Sequence, residues 1–373
     1  MPPLRTYLSR RLLPIGALSR LACLLPVAGL MVLGSLLLTL PLPSAWAQKP
    51  EAGVLNLYSA RHYQTDEQLY SDFTAQTGIR INRIEAGDEA LLERLRSEGT
   101  RSPADVLLLV DAARLWRAQI EGIFQPVRSD ILAKRIPAHL QGKDDGKGPQ
   151  WFAYSTRARV LVVNPARIDP QLVRNYEDLA RPELKGKVCT RSANSAYMLS
   201  LIGALSEHWG LDRTETWARA VVANFARSPR GGDTDQIKAV ASGECAVALT
   251  NTYYLARLLR STNPQDRALT EKVRLVWPNQ DSFGTHINVT GGGMLKHAPN
   301  REAALRFLEY LASDRAQEFL ANGNNEWPVV ASAARSNPVL QAWGSFKADT
   351  LPVATVGRAQ IQAARIADRV GWR

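Results

Sequence analysis

Short apolar strands alternate with amphipathic helices along most of this chain, and this alternation restricts its fold more than any other feature. Val54 to Tyr58 is predicted as a strand, and the helix that starts at Thr65 ends at Gly78. A second strand follows over Ile79 to Ile84, and helix Glu89 to Ser97 continues the series. Strands that alternate with helices in this way predict an α/β fold built on a mostly parallel, doubly wound sheet.

A second α/β series begins after the polar, glycine-rich stretch Gly142 to Gly148. Its first strand is predicted over Arg159 to Asn164 and its last over Val273 to Trp277, and Phe283 to Val289 is predicted as a strand that leads into the triplet Gly291 to Gly293. At 373 residues the chain is long enough for two such units. The sequence therefore predicts two lobes joined by crossing strands that act as a hinge. The predicted divisions are a signal peptide over residues 1–47, lobe one over 48–153 and 283–330, lobe two over 154–282, and C-terminal helices over 331–373 whose lobe stays open.

The first 47 residues have the pattern of an export signal. The apolar stretch Leu21 to Leu42 follows several arginines, and Ala45 to Ala47 forms an A-x-A cleavage site. We expect export to the periplasm, and Ser9 to Leu13 resembles the signal of the twin-arginine route. An uncleaved membrane anchor is the alternative, because the apolar stretch is nearly long enough to span a bilayer.

The formal net charge of +11 does not indicate a nucleic-acid-binding protein. Several of the positive charges lie in the signal peptide, and the other Lys and Arg residues are scattered among Asp and Glu. The chain also has no nucleophile elbow, phosphate loop or zinc motif, and no carboxylates paired in a plausible site. We therefore expect a binding protein without enzymatic activity and without a nucleic-acid partner.

Two cysteines, Cys189 and Cys245, remain after the signal peptide. Each is predicted to open a short apolar strand, and neighbouring parallel strands would bring the two sulfurs together. An even number of cysteines suits an oxidising compartment. A disulfide and two buried thiols are both compatible with this pattern.

Four tyrosines and a histidine lie at predicted strand-to-helix turns. Tyr253 and Tyr254 follow one strand of lobe two, Tyr197 follows another, and His62 and Tyr63 occupy the corresponding turn of lobe one. Ligands of such folds bind where the carboxyl ends of the strands face a cleft, so all five residues should border the same cleft. Packing of the Tyr253–Tyr254 pair and a structural hydrogen bond from His62 are the alternatives.

Clustered phenols favour a hard, highly charged cation. Phenolate is a hard and basic oxygen donor whose free pKa is about 10, so only a strongly acidic cation displaces its proton near neutral pH. Ferric iron is such a cation, whereas Ca²⁺ and Mg²⁺ usually recruit carboxylates. Four phenolates leave one negative charge on a 3+ ion, and either Arg257 or Arg61 could offset it. Each arginine could instead be a surface charge.

Four segments together resemble the ferric-ion-binding proteins of ABC iron importers, of the FutA/IdiA kind found in cyanobacteria. These segments are Ser59 to Tyr63, Cys189 to Tyr197, Gly231 to Ile237 and Asn251 to Tyr254. The resemblance implies a type II periplasmic-binding-protein fold whose two lobes close on Fe(III). It also implies iron ligation at the positions of His62, Tyr63, Tyr197, Tyr253 and Tyr254.

The same resemblance implies delivery of the iron to the permease and ATPase of an ABC transporter, and we expect the protein to act as a monomer. Two other functions remain open at this point. One is the binding of another solute, an anion or a polyamine, because this fold serves many solutes. The other is iron buffering.

Overall fold

Nine strands and thirteen α-helices are present in the part of the chain that this computed structural model describes, which comprises residues 53–61, 65–333 and 336–373. The predicted signal peptide lies outside these ranges. Within them, no helix is both long and apolar enough to cross a bilayer.

The strands, in chain order, are β1 (Val54–Ser59), β2 (Arg80–Glu85), β3 (Val106–Leu109), β4 (Phe152–Val163), β5 (Val188–Cys189), β6 (Val247–Asn251), β7 (Arg274–Val276), β8 (Ile287–Met294) and β9 (Trp327–Pro328). The helices are α1 (Asp66–Thr77), α2 (Asp88–Glu98), α3 (Ala112–Ile120), α4 (Asp130–Arg135), α5 (Ala196–Trp209), α6 (Leu211–Ala223), α7 (Asp233–Ser242), α8 (Thr252–Leu259), α9 (Pro264–Thr270), α10 (Arg301–Leu311), α11 (Asp314–Asn324), α12 (Pro338–Trp343) and α13 (Val353–Val370). Strands and helices thus alternate through both halves of the chain, as the sequence predicts.

The sheet has the strand order β2-β1-β3-β8-β4-β6-β5, and β7 and β9 pair with β4 outside this path. Pairing is parallel within β2-β1-β3 and between β5 and β6. It is antiparallel wherever β4 or β8 takes part. Strand β4 pairs with β8 from Phe152 to Ala158 and with β6 from Arg159 to Val163, so it crosses from one part of the sheet to the other.

The apolar core divides at this crossing strand, and the division defines the two lobes. Ala158 and Val160 belong to the core of lobe one, which also contains Phe73 stacked edge-on against Phe307. Leu161, one residue further along β4, belongs to the core of lobe two. Each core stabilises its lobe by burying large side chains, at about 1.5–3 kcal/mol for each one. The two-lobed α/β architecture predicted from the sequence is confirmed.

The C-terminal helix α13 contacts both lobes. Val353 and Val356 at its start pack into the core of lobe one, whereas Ala363 and Ile366 pack into lobe two. Gly357 lies between them, and a Cβ at this position would be 2.6 Å from the carbonyl oxygen of Ala112. The apolar face of this helix suits either core, so the sequence alone does not assign it to one lobe.

The glycine triplet lies inside β8, although the sequence predicts it after the end of a strand. A Cβ at Gly293 would be 2.2 Å from the carbonyl oxygen of Gln150, and a Cβ at Gly292 would be 2.4 Å from that of Leu107. Since β8 runs between β3 and β4, the close approach of these backbones requires glycine at these positions. The residues thus continue the strand instead of ending it.

Cys189 and Cys245 form a disulfide in the structure, with their Cα atoms 5.8 Å apart. Cys189 ends β5, and Cys245 lies two residues before β6. The parallel pairing of β5 with β6 brings the two cysteines together.

Candidate metal centre

Three of the five predicted ligands lie in the first turns of two helices of lobe two. Tyr197 lies in the first turn of α5, where the Ser195 hydroxyl accepts a hydrogen bond from its backbone N–H at 3.3 Å. Tyr253 and Tyr254 lie in the first turn of α8, directly after β6. Because β5 and β6 are parallel neighbours, the turns that follow them lie at the same edge of the sheet.

The three phenols form one cluster. The Tyr253 hydroxyl donates a hydrogen bond to the Tyr197 hydroxyl at 3.2 Å. The rings of Tyr253 and Tyr254 lie 4.2 Å apart between centroids and are tilted by 31°. Tyr253 is buried, whereas Tyr197 and Tyr254 are half-buried and reach solvent. The structure therefore brings together the three tyrosines that the sequence predicts as neighbours, and their role as ligands stays a prediction.

His62 and Tyr63, the two predicted ligands of lobe one, lie outside the described residues. The described residues on either side of them are bound to each other. The Arg61 guanidinium donates two hydrogen bonds of 2.9 Å to the Asp66 carboxylate and a third, at 3.2 Å, to Glu326. Arg61 and Asp66, which precede and follow the two predicted ligands in the sequence, therefore form a buried ion pair.

The two arginines predicted to offset charge differ in their surroundings. Arg61 is 1% exposed and bound to Asp66 and Glu326, so the alternative that it is a surface charge is wrong. Its charge is already balanced by these two carboxylates. Arg257 is exposed, and its guanidinium carbon lies 6.0 Å from the ring centroid of Tyr253 and 5.6 Å from that of Tyr254. These distances allow a cation–π contact with both rings.

Two further arginines approach the phenols, and the sequence did not single out either of them. Arg157, buried on β4, has its guanidinium carbon 5.7 Å from the ring centroid of Tyr197, and Arg191 lies 5.0 Å from the same ring. Arg157 donates hydrogen bonds to the Thr290 hydroxyl at 3.2 Å and to a backbone carbonyl. The signal that could have found it is the spacing of Arg157 and Arg159, two residues apart, which places both arginines on one face of a strand.

Burial and neighbouring charges shift the pKa values of Tyr197 and Arg157 in opposite directions. Burial raises the pKa of the Tyr197 phenol, while the positive charge of Arg157 acts in the other direction. Burial acts to lower the pKa of Arg157, but the interactions with its titratable neighbours, among them Tyr197 and Glu326, act in the opposite direction, and the pKa of Arg157 is raised. Without a metal the Tyr197 phenol is therefore protonated at neutral pH, and only a strongly acidic cation would displace its proton.

Asp233, from the segment Gly231 to Ile237, binds residues next to this cluster. Its buried carboxylate lies 2.5 Å from a guanidinium nitrogen of Arg159 and accepts the backbone N–H of Asn251 at 2.7 Å. Asn251 is the last residue of β6, immediately before α8. Arg191 lies 3.6 Å from the second carboxylate oxygen of Asp233. The acidic residue thus fixes the turn that presents Tyr253 and Tyr254.

The donor chemistry of the cluster is phenolic. Across residues 53–61, 65–333 and 336–373, no group of three or more His, Cys, Asp or Glu side chains is arranged to hold a metal ion. The oxygen donors gathered at the turns of α5 and α8 are three phenols. Such a donor set suits a hard trivalent cation better than Zn²⁺ or Ca²⁺.

Comparison with known proteins gives consistent similarities. Residues 101–347 match a family model described as bacterial extracellular solute-binding protein. Iron uptake protein A1 of Synechocystis sp. PCC 6803 is 46% identical over 352 residues, which cover 92% of this chain and 95% of that protein.

Two solved structures show the same architecture. The Trichodesmium IdiA/FutA protein in complex with iron and citrate matches with a TM-score of 0.82 and 49% identity, covering 86% of this chain and 100% of that one. The ferric-binding protein from Campylobacter jejuni matches with a TM-score of 0.79 and 38% identity, with coverages of 86% and 100%.

Proposed function

Because the chain belongs to the family of bacterial extracellular solute-binding proteins, we propose that it captures ferric iron outside the cytoplasm and delivers it to an ABC importer. The observation that carries this proposal is the cluster of Tyr197, Tyr253 and Tyr254 at the turns of α5 and α8. The similar Synechocystis protein is named for iron uptake, and the similar Trichodesmium structure contains iron.

In this proposal five side chains bind the metal. Tyr197, Tyr253 and Tyr254 supply phenolates from lobe two, and His62 and Tyr63 supply an imidazole nitrogen and a fourth phenolate from lobe one. Four phenolates and Fe(III) carry one net negative charge, which the nearby cationic arginines offset.

Two arginines are placed for this electrostatic role. Arg157 is the stronger candidate because it is buried 5.7 Å from the Tyr197 ring, and charges interact more strongly away from water. Arg257 contributes from the exposed side of the Tyr253–Tyr254 pair. Arg61 contributes less, since Asp66 and Glu326 already neutralise it.

Iron meets lobe two first, because three of the ligands are already gathered there. Closure of the lobes then adds His62 and Tyr63, and the last metal–ligand bonds stabilise the closed state. Each phenol gives up its proton to bind, so iron affinity should fall as the pH falls.

The proposed location is the periplasm, and the proposed partners are the permease and ATPase of the importer, which the protein meets as a monomer. Binding of an anion or a polyamine is the second candidate. A polyamine is less well supported, because polyamine sites use acidic walls and the cluster offers phenols flanked by arginines. An anion is less well supported, because anion sites favour Ser, Thr and main-chain donors over clustered phenols.

A titration with chelated ferric iron, followed by visible absorption, tests the proposal. Phenolate bound to Fe(III) gives a broad charge-transfer band, which should saturate at about one iron per chain. Tyr253→Phe and Tyr254→Phe should each weaken the band and the affinity. Tyr310→Phe is the matched control, because its hydroxyl binds the Leu69 carbonyl and Asp72 in lobe one, away from the cluster. The absence of a band in the unmodified protein would refute the proposed function.

A further inference from the structure

We propose that Asn288 is a positioning residue for iron binding, which acts on the Tyr197 phenol through the Ser200 hydroxyl. This inference rests on the proposed function and concerns only the half of the site that lobe two supplies. Asn288 lies on β8, and Ser200 lies on α5, three residues after Tyr197. Residues three apart on a helix are neighbours on its surface, about 4.5 Å apart along the helix axis. A contact that holds Ser200 therefore also holds the part of α5 that carries Tyr197.

The Ser200 hydroxyl is buried and is bound on two sides. It accepts a hydrogen bond from the Asn288 side-chain amide at 2.8 Å, and its oxygen lies 2.9 Å from Nε2 of His286. Ser200 is 0% exposed, and a polar group buried away from water destabilises the fold unless it is paired. Both partners come from β8 or from the residue directly before it. The first two turns of α5 are therefore fixed against this strand.

The same Asn288 side chain also binds lobe one. Its amide donates a second hydrogen bond, at 2.8 Å, to the Asp111 carboxylate, and its oxygen accepts the Ala112 backbone N–H at 3.0 Å. Asp111 caps the start of α3, where its carboxylate also accepts the Ala113 backbone N–H at 2.8 Å. Gln360 of α13 donates to Asp111 at 3.1 Å. One carboxamide thus connects α5 of lobe two with the first turn of α3 in lobe one.

Asn288 lies opposite Arg157, whose charge has a role in the proposed site. The two residues are register partners in the antiparallel pair of β4 and β8, so their side chains lie on the same face of the sheet. The Arg157 guanidinium binds the Val110 carbonyl, next to Asp111, and its carbon lies 5.7 Å from the centroid of the Tyr197 ring. Arg157 therefore interacts with the ring of Tyr197, whereas Asn288 holds the helix that carries this ring.

A displacement of α5 would move Tyr197 relative to Tyr253, whose hydroxyl donates a hydrogen bond to the Tyr197 hydroxyl at 3.2 Å. Tyr253 lies on a different helix, α8, and Asp233 fixes the turn before that helix. Metal ligands must be held within about 0.5 Å of their productive positions. Loss of the Asn288 contacts should therefore weaken iron binding through Tyr197, while Tyr253 keeps its position.

A double-mutant cycle between Asn288 and Tyr197 tests the proposal. Iron affinity is measured by competition with a chelator in the unmodified protein, in Asn288→Ala, in Tyr197→Phe and in the double variant. Asn288→Ala should lower the affinity about tenfold, the lower end of the effect of residues that orient metal ligands. In the Tyr197→Phe background the same substitution should change the affinity by less than about twofold, because the phenol that Asn288 positions is no longer present.

Asn224→Ala is the matched control. Asn224 is a similarly buried asparagine of lobe two, and its amide also donates two hydrogen bonds, to the Leu179 carbonyl at 2.9 Å and to the Arg181 carbonyl at 2.8 Å. Its replacement should leave the iron affinity within about twofold of the unmodified protein, as expected for an independent site.

Ser200→Ala is the milder variant and carries the test if Asn288→Ala does not fold. It removes only the hydroxyl on α5, so Asn288 keeps its contacts with Asp111 and Ala112 in lobe one. We expect Ser200→Ala to lower the iron affinity in the same way and to lose this effect in the Tyr197→Phe background.

The two possible failures are distinguishable. An unmodified protein that takes up no iron would overturn the proposed function and, with it, the positioning role of Asn288. Normal iron uptake with unchanged affinity in Asn288→Ala and Ser200→Ala would overturn the positioning role and leave the proposed function intact. A loss of affinity of equal size with and without the Tyr197 phenol would also overturn the positioning role, because it indicates a general loosening of the fold.

Discussion

Replacing Asp233 by Asn removes a buried negative charge while keeping the shape of the side chain. Asp233 is completely buried, and its Oδ2 lies 2.5 Å from an Arg159 guanidinium nitrogen and 2.7 Å from the backbone nitrogen of Asn251. Arg191 approaches the other oxygen at 3.6 Å. In the variant, two guanidinium groups would face a neutral amide.

The loss of stability in Asp233→Asn depends on the side-chain contacts that remain to Arg159. Arg159 is 1% exposed, and within the described ranges its side-chain contacts after the change would be the Asn251 amide at 3.2 Å and the Met198 sulfur at 3.0 Å. Breaking a buried ion pair by removing one partner costs about 3–5 kcal/mol, because the remaining charge is left uncompensated. The side-chain amide oxygen introduced at position 233 can still accept the hydrogen bond from the Asn251 backbone N–H. We therefore expect a cost near the lower end of this range, about 3 kcal/mol.

Urea unfolding of the iron-free protein measures this cost from the transition midpoint, with an unchanged dependence on denaturant. The matched control is Glu302→Gln, which removes the exposed pair of Glu302 with Arg306 on α10 and should cost less than about 0.5 kcal/mol. A free energy of unfolding for Asp233→Asn within about 0.5 kcal/mol of the unmodified protein would refute the reasoning. So would an equal loss in the control.

Three other changes have expected outcomes of similar clarity. Burial lowers the pKa of His286 to about 3, with the charge of Arg159 acting in the same direction, so stability should fall by up to about 1.4 kcal/mol per pH unit as the pH drops from about 6.5 towards 3. In His286→Gln this component should be missing from the stability-against-pH curve, and parallel curves would contradict the prediction. Replacing Cys189 and Cys245 together by Ser opens a link across 56 residues and should cost about 2–4 kcal/mol in chemical unfolding, a loss that a reductant should reproduce only in the unmodified protein. Gly293→Ala forces a Cβ to 2.2 Å from a backbone carbonyl and should cost about 1–3 kcal/mol in thermal or urea unfolding, whereas Gly53→Ala, whose Cβ would make only an ordinary contact at 3.8 Å with Ile79, should leave stability nearly unchanged.

The order of strands and helices could be predicted because apolar periodicity is local information. The positions of Tyr197, Tyr253 and Tyr254 at strand-to-helix turns could also be predicted. That prediction requires only the predicted ends of the strands and the rule that residues lining a cleft follow those ends. Their gathering into one cluster then follows from the parallel pairing of β5 with β6.

Features that depend on distant pairing could not be predicted in this way. One of the two carboxylate partners of Arg61 is Glu326, which lies 265 residues further along the chain. Arg157 faces Tyr197 only because β4 crosses between the lobes. The glycine triplet continues β8 because two neighbouring backbones approach it, and that approach is visible only in the assembled sheet. A single sequence contains the residue types for these contacts, but it does not state which residues meet.

The central claim is that ferric iron is bound jointly by Tyr197, Tyr253 and Tyr254 of one lobe and by His62 and Tyr63 of the other. A crystal structure of the iron-loaded protein, with anomalous diffraction collected at the iron absorption edge, tests it most directly. The account predicts a single iron peak within bonding distance of the four phenolic oxygens and a ring nitrogen of His62. An iron peak away from the Tyr197, Tyr253 and Tyr254 oxygens, or one bonded to lobe two alone with the lobes closed, would contradict the account.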